Sequence, residues 1–215
     1  MPDNNIFHPA IANAVGEHII WTHLPGGSLG LALSNAIKQS HHPVLIIAPD
    51  SLQVGQLMAE IDFFASGKNL LHTLPGWETL PYDHFSPHQD IISERLASFA
   101  RLPSLASGGL ITSIDTLLQR ISPTDFIDGH CFALTVNDKV NIDILRTKLV
   151  RAGYHSVNQV REHGEFAVRG SIIDIFPMGS NIPFRLDMLD DEIDSIREFS
   201  PESQRTIEKT NSIRL

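Results

Sequence analysis

Cysteine is almost missing from this sequence: Cys131 is the only thiol among 215 residues. An intramolecular disulfide is therefore impossible, a cysteine zinc site is excluded, and a cytoplasmic setting is expected. Long apolar runs are missing as well. No stretch approaches the roughly 20 residues a helix needs to cross a bilayer, so no membrane partner is expected. The opening Met1-Pro2-Asp3-Asn4-Asn5 has neither a basic n-region nor an apolar h-region, and no signal peptide is expected. Basic residues are scarce, with 16 Lys and Arg against 25 Asp and Glu and a formal net charge of −9. The shortage is sharpest up to residue 125, where Lys38, Lys68, Arg95, Arg101 and Arg120 stand far apart among eleven acidic residues. A grip on nucleic acid needs clustered cations that displace counterions, so direct DNA binding is not expected of this half. No Gly-x-Ser-x-Gly or His-Glu-x-x-His motif occurs, and no catalytic residue is assigned.

What is present suits a soluble globular core, with 42% hydrophobic and 19% charged residues. The first half alternates in the α/β manner. The apolar run Val44-Leu45-Ile46-Ile47-Ala48 predicts a buried parallel strand. Pro49-Asp50-Ser51 then turns the chain and offers an N-cap to a helix over residues 52–64, ended by Ser66-Gly67. Further strands are predicted over 70–74 and 109–113, and further helices over 91–102 and 114–121. Strands separated by helices imply a parallel sheet with helices on its faces. After Pro123 the pattern changes. One helix, over 142–152, is capped by Asn141 and ended by Gly153. The period then shifts towards two, predicting strands over 156–160, 165–169, 171–176, 183–189 and 193–199, with a hairpin at Asp190-Asp191-Glu192. The division expected is residues 1–125 as an α/β domain and 126–215 as a small α+β domain with an antiparallel sheet. Residues 211–215 read as a strand with no stop signal after it, so a truncated chain is the expectation.

Three patterns carry candidate chemistry. The glycine-rich Leu24-Pro25-Gly26-Gly27-Ser28-Leu29-Gly30-Leu31-Ala32 precedes a helix predicted over 31–39, where a phosphate-binding loop would sit. Such a loop needs a lysine for the phosphates and a Ser or Thr for magnesium, and Leu31 and Ala32 occupy those two places. A degenerate loop (Gly26, Gly27, Gly30, Leu31, Ala32) or a plain strand-to-helix turn fits, with no cofactor. The histidines invite a metal reading that their placement does not support. Pro87 separates His84 from His88, adjacent His41 and His42 would point to opposite sides of a strand, and no carboxylates complete a set, so no metal is expected. The third pattern is in Pro183-Phe184-Arg185-Leu186-Asp187-Met188-Leu189. Alternation puts Phe184, Leu186 and Met188 on a core face and Arg185, Asp187 and Leu189 on the other. In Glu165-Phe166-Ala167-Val168-Arg169, Phe166 and Val168 point inward and Arg169 outward. Arginine beside exposed apolar surface fits a protein interface; a solvated face with Arg–Asp cross-strand pairs is the plainer alternative.

Two long segments carry a family resemblance: Trp77-Glu78-Thr79-Leu80-Pro81-Tyr82-Asp83-His84-Phe85-Ser86-Pro87-His88-Gln89-Asp90-Ile91-Ile92-Ser93-Glu94-Arg95-Leu96, and Glu162-His163-Gly164-Glu165-Phe166-Ala167-Val168-Arg169-Gly170-Ser171-Ile172-Ile173-Asp174-Ile175-Phe176-Pro177 with Arg185-Leu186-Asp187 and Asp191-Glu192-Ile193-Asp194-Ser195-Ile196. From about residue 15 onward the chain resembles the N-terminal module of bacterial transcription-repair coupling factors, itself similar to the excision-repair helicase UvrB. The resemblance implies that the first half is a degenerate RecA-like half-domain without a working nucleotide site. It implies that the UvrB DNA-probing hairpin is absent around residues 82–91. It also implies that the second half binds UvrA, the damage-recognition ATPase, through Arg169, Arg185 and Leu189, the last standing where the family usually has Phe. In the whole protein a C-terminal domain would mask that surface until stalled RNA polymerase is engaged. The polymerase-binding module and the lobes that use ATP and Mg to translocate on double-stranded DNA would lie beyond Leu215, leaving this piece without enzymatic activity of its own.

Two other readings remain open from the residues: an ATP-binding helicase lobe of the UvrB type, decided by Mg-ATP binding, and an unrelated small-molecule α/β enzyme, for which no residue set is evident. On the docking reading, charge reversal at Arg185 is expected to weaken UvrA binding and leave folding intact.

Overall fold

Alternating hydrophobic runs and capped helices place the secondary structure close to where the residues predict it. The computed structural model describes residues 5–66, 70–80 and 83–214. Met1 to Asn4, Gly67, Lys68, Pro81, Tyr82 and Leu215, which the readings above used, lie outside them. In chain order the helices are α1 (Ser28–Gln39), α2 (Ser51–Ala65), α3 (Gln89–Arg101), α4 (Ile114–Leu117), α5 (Thr124–His130) and α6 (Ile142–Arg151). The strands are β1 (Val44–Ala48), β2 (Leu71–Thr73), β3 (Gly109–Ser113), β4 (Ala133–Thr135), β5 (His155–Ser156), β6 (Glu165–Arg169), β7 (Ile172–Ile175), β8 (Phe184–Leu189), β9 (Glu192–Phe199), β10 (Thr206–Thr210) and β11 (Ser212–Arg214). The chain divides into two units, residues 1–76 with 101–120 and residues 77–100 with 121–215. Most of α3 thus groups with the second unit although it precedes residue 125.

The first unit is an α/β layer. Its three strands are parallel in the order β1-β3-β2, and Ile46 lies opposite Ile111 in register. Ile37 of α1, Ile46, Ile61 of α2 and Ile111 form the core on the helix-covered face. Burying one such side chain fully stabilises by about 1.5–3 kcal/mol. The central strand β3 is buried throughout, but β1 is not as expected. Leu45 and Ile47 are about half exposed because β1 lies at the edge of the sheet, whereas Leu110 and Thr112, opposite them on the central strand, are buried. Helix α2 begins where the cap predicts, with the Asp50 carboxylate accepting from the Gln53 amide at 2.8 Å. Helix α4 stops at Leu117 rather than at 121. Leu118 and Ile121 are exposed, so no packing holds a further turn.

The second unit is α+β. Its main sheet runs β10-β9-β8-β7-β6-β5. All pairs are antiparallel except β5 with β6, a parallel exception to the expected antiparallel sheet. The strand predicted over 156–160 shrinks to His155–Ser156 because the chain bends at Asn158 and Gln159. That bend tucks Val160 into a small cluster with Ala167, Phe176 and Phe199. The larger core lies on the opposite face: Phe166, Ile173, Ile175, Leu186, Ile193 and Ile196 meet Leu145 and Leu149 of α6. Helix α6 is capped by the Asn141 side chain, which accepts from the amides of Asp143 and Ile144. Residues 212–214 do form a strand, paired with a strand at 133–135 that the sequence did not predict; α5 and β10 were not predicted either.

Candidate functional site

Antiparallel register decides which side chains meet on the second face of the large sheet. Residues opposite one another share a face. Asp174 lies opposite Ala167 on β6 and Arg185 on β8, and Arg185 lies opposite Arg197 on β9. The next row holds Arg169, Ile172, Asp187 and Ser195. Alternation on β8 continues to Leu189, so the three residues proposed from the sequence do share this face.

Asp174 organises it. Its side chain is 0% exposed, sitting in the apolar run Ile172-Ile173-Asp174-Ile175. A carboxylate there needs partners, since an unpaired buried charge is strongly unfavourable. Arg185 supplies two bonds, Nε to Oδ1 at 2.6 Å and Nη2 to Oδ2 at 2.9 Å. Arg169 supplies a third, Nη2 to Oδ2 at 2.5 Å. The two-point contact from Arg185 is the planar fork geometry that only arginine provides. Arg185 is held on two further sides: Nη1 donates to the Gln204 carbonyl at 3.4 Å, and the guanidinium lies 4.7 Å from the Phe199 ring centroid. The hydrogen bond with Asp174 holds the Arg185 guanidinium above its ordinary pKa; burial opposes this, and the charges of Asp174 and Asp187 add to it.

The two arginines are therefore not equivalent. The Arg185 side chain is 15% exposed, whereas Arg169 is 50% exposed with one bond to Asp174. Leu189 is 67% exposed at the end of β8, beside the turn at Asp190. This corrects the expectation for charge reversal at Arg185. A glutamate there would face the buried Asp174 carboxylate, so folding would not remain intact. A second pair lies on the same face, with Asp187 accepting from Arg197 and from Ser195 Oγ at 2.8 Å. The sequence pattern placed Asp187 on this face but missed Asp174 and Arg197. The signal for Asp174 was available in a lone carboxylate inside an isoleucine-rich strand.

The glycine-rich stretch of the first unit is arranged differently. No strand precedes it among residues 5–27, and α1 begins at Ser28 instead of 31. Gly26 takes a left-handed conformation with φ +55°, Gly27 caps the helix, and Gly30, Leu31 and Ala32 lie inside its first turns. Gly30 and Ala32 are buried. A Cβ at Gly30 would come within 2.4 Å of the Glu60 Cβ on α2. The glycine is thus needed for close approach of the two helices, and a carboxylate stands beside it. His163 is bonded through both ring nitrogens: Nδ1 lies 2.8 Å from Asp90 and Nε2 lies 2.7 Å from the Ser180 carbonyl. Among the described residues no group of three His, Cys, Asp or Glu side chains is placed to hold a metal ion.

Comparison with known proteins adds names to this geometry. Residues 132–215 match the UvrB interaction domain family. The transcription-repair-coupling factor of Escherichia coli is 44% identical over 200 residues, covering 93% of this chain and 17% of that protein. The Haemophilus influenzae protein of the same name is 41% identical over 209 residues, covering 97% of the chain and 18% of that protein. The Myxococcus xanthus protein is 30% identical over 206 residues, covering 93% and 17%. The chain therefore spans less than a fifth of the length of these relatives.

Proposed function

Because the chain belongs to the transcription-repair-coupling factor family and carries its UvrB interaction domain at residues 132–215, we propose that it is a docking module whose second unit binds the excision-repair protein UvrA. The observation that carries this reading is the half-exposed Arg169, fixed by a buried carboxylate, on the same sheet face as the exposed Leu189. Arginine is among the residues enriched at protein interfaces and at their binding-energy hot spots. Arg169 keeps donors free of Asp174, and these would take carboxylate or carbonyl oxygens of the partner. Leu189 would fill an apolar pocket, with less contact area than an aromatic ring gives.

In this reading the module docks and does not catalyse. The buried Gly30 and Ala32, with Glu60 against Gly30, leave the α1 turn poorly suited to a nucleotide phosphate. Use of ATP and Mg, movement on double-stranded DNA and engagement of RNA polymerase would belong to other parts of the whole protein. A C-terminal domain of that protein would cover the Arg169 face until the polymerase is engaged.

Isothermal titration with purified UvrA tests the reading. The parent chain is expected to bind, and Arg169→Ala, which takes one bond from a half-exposed side chain, to weaken binding at least tenfold with only a small loss of stability. Equal affinity for the two chains would show that the surface is wrong, and stoichiometric Mg-ATP binding would favour a helicase lobe instead.

A further inference from the structure

We propose that Asp174 is a positioning residue for partner docking, acting through Arg169 and Arg185 without touching the partner itself. This rests on the docking reading above and adds a residue that exposure alone would dismiss, since Asp174 is completely buried.

The geometry argues for it step by step. An arginine on a sheet surface ordinarily samples many rotamers, and binding must then freeze them. Here both guanidinium groups end on one carboxylate. Oδ2 accepts from Arg169 and from Arg185, and Oδ1 from Arg185 Nε. Arg185 is further fixed by the Gln204 carbonyl and the Phe199 ring, so it forms a rigid wall. Arg169 leans on the same oxygen, and its remaining donors are presented in one orientation. The restraint is thus made before the partner arrives, which lowers the entropy lost on association.

Charge alone predicts the opposite dependence. Asp174 neutralises one of the two positive charges at this spot. If it served only as a counter-charge, replacing it with neutral Asn would make the face more positive and favour acceptor groups of a partner. Positioning requires the reverse. An Asn at 174 offers one carbonyl oxygen, and its amide N–H₂ faces guanidinium donors, so the arginines would swing away from the sheet. The sign of the affinity change separates the two roles.

The experiment measures UvrA binding by surface plasmon resonance for the whole chain, Asp174→Asn, Arg169→Ala and the double variant, with hydrogen exchange over residues 166–199 as a check on folding. The expected result is at least tenfold weaker binding for Asp174→Asn, expressed as faster dissociation. In the Arg169→Ala background the same change should have a smaller effect, because the more exposed of the two positioned groups is gone. A general loss of structure would weaken both backgrounds alike, and that outcome overturns the proposal. So does Asp174→Asn binding as tightly as the parent, or more tightly, while Arg169→Ala is weakened; that outcome leaves the docking face standing. If Arg169→Ala binds as well as the parent, the docking face itself is wrong and the inference falls with it. Should Asp174→Asn not fold, nitrogen-15 relaxation of the Arg169 Nε–H in the parent chain decides. An order parameter above about 0.6 is expected for a tethered group, and a lower, freely mobile value overturns the proposal.

Discussion

Truncation of the two arginines provides an internal comparison, since both contact the same carboxylate from differently buried positions. Arg185→Ala removes two of the three bonds to the fully buried Asp174. Breaking a buried ion pair by removing one partner costs about 3–5 kcal/mol, and Arg169, which remains, offsets part of this. A net loss of about 2–3 kcal/mol is expected. Arg169→Ala removes one bond from a half-exposed side chain while Arg185 still satisfies both carboxylate oxygens. Solvent screening limits that loss to about 0–1 kcal/mol. In a small domain each kcal/mol lowers the melting temperature by about 4–8 °C, so the two variants should separate by at least about 4 °C. Because the chain has two units, a single melting curve mixes them. Urea-dependent hydrogen exchange of the β6 to β9 amides isolates the unit concerned. Equal losses for the two variants, or a greater loss for Arg169→Ala, would refute the claim that Asp174 depends chiefly on Arg185.

Two further outcomes concern the first unit. His72 Nδ1 lies 3.0 Å from Arg101 Nη1, and its pKa is lowered, first by burial and then by the Arg101 charge. The folded state therefore favours the neutral ring, so this stabilisation is present above the unfolded value of about 6.5 and is lost as pH falls through it towards the folded value. The melting temperature of the first unit should drop on acidification over that range, and His72→Gln should flatten the dependence. Gly30→Ala should destabilise even though alanine favours helix by about 1 kcal/mol, because overpacking against Glu60 costs about 1–3 kcal/mol. A thermal shift upward would contradict the close-approach role of that glycine.

Much of this fold could be read locally. Asp50 and Asn141 mark the starts of α2 and α6, and strict alternation along β8 places Leu186 and Met188 in the core and Arg185 and Leu189 opposite. What escaped was decided by distant residues. Val160, Phe199 and the Gln204 turn cover one end of the second sheet face, so Arg185 is enclosed where period-two reading suggests an outward side chain. The same covering makes Asp174 a buried hub instead of half of a solvated cross-strand pair. Gly30 looks like part of a loop until Glu60 of α2, thirty residues later in the chain, is seen to press on it. Helix α4 shows the reverse case: its apolar pattern runs to 121, but Leu118 and Ile121 find no surface to pack on.

The most direct test of the docking account is a hydrogen-exchange footprint of the chain with and without UvrA. Protection is expected on the sheet around residues 167–174 and 185–192, with residues 28–48 of the first unit unchanged. Protection confined to the first unit, or none anywhere on the Arg169 face, would contradict it.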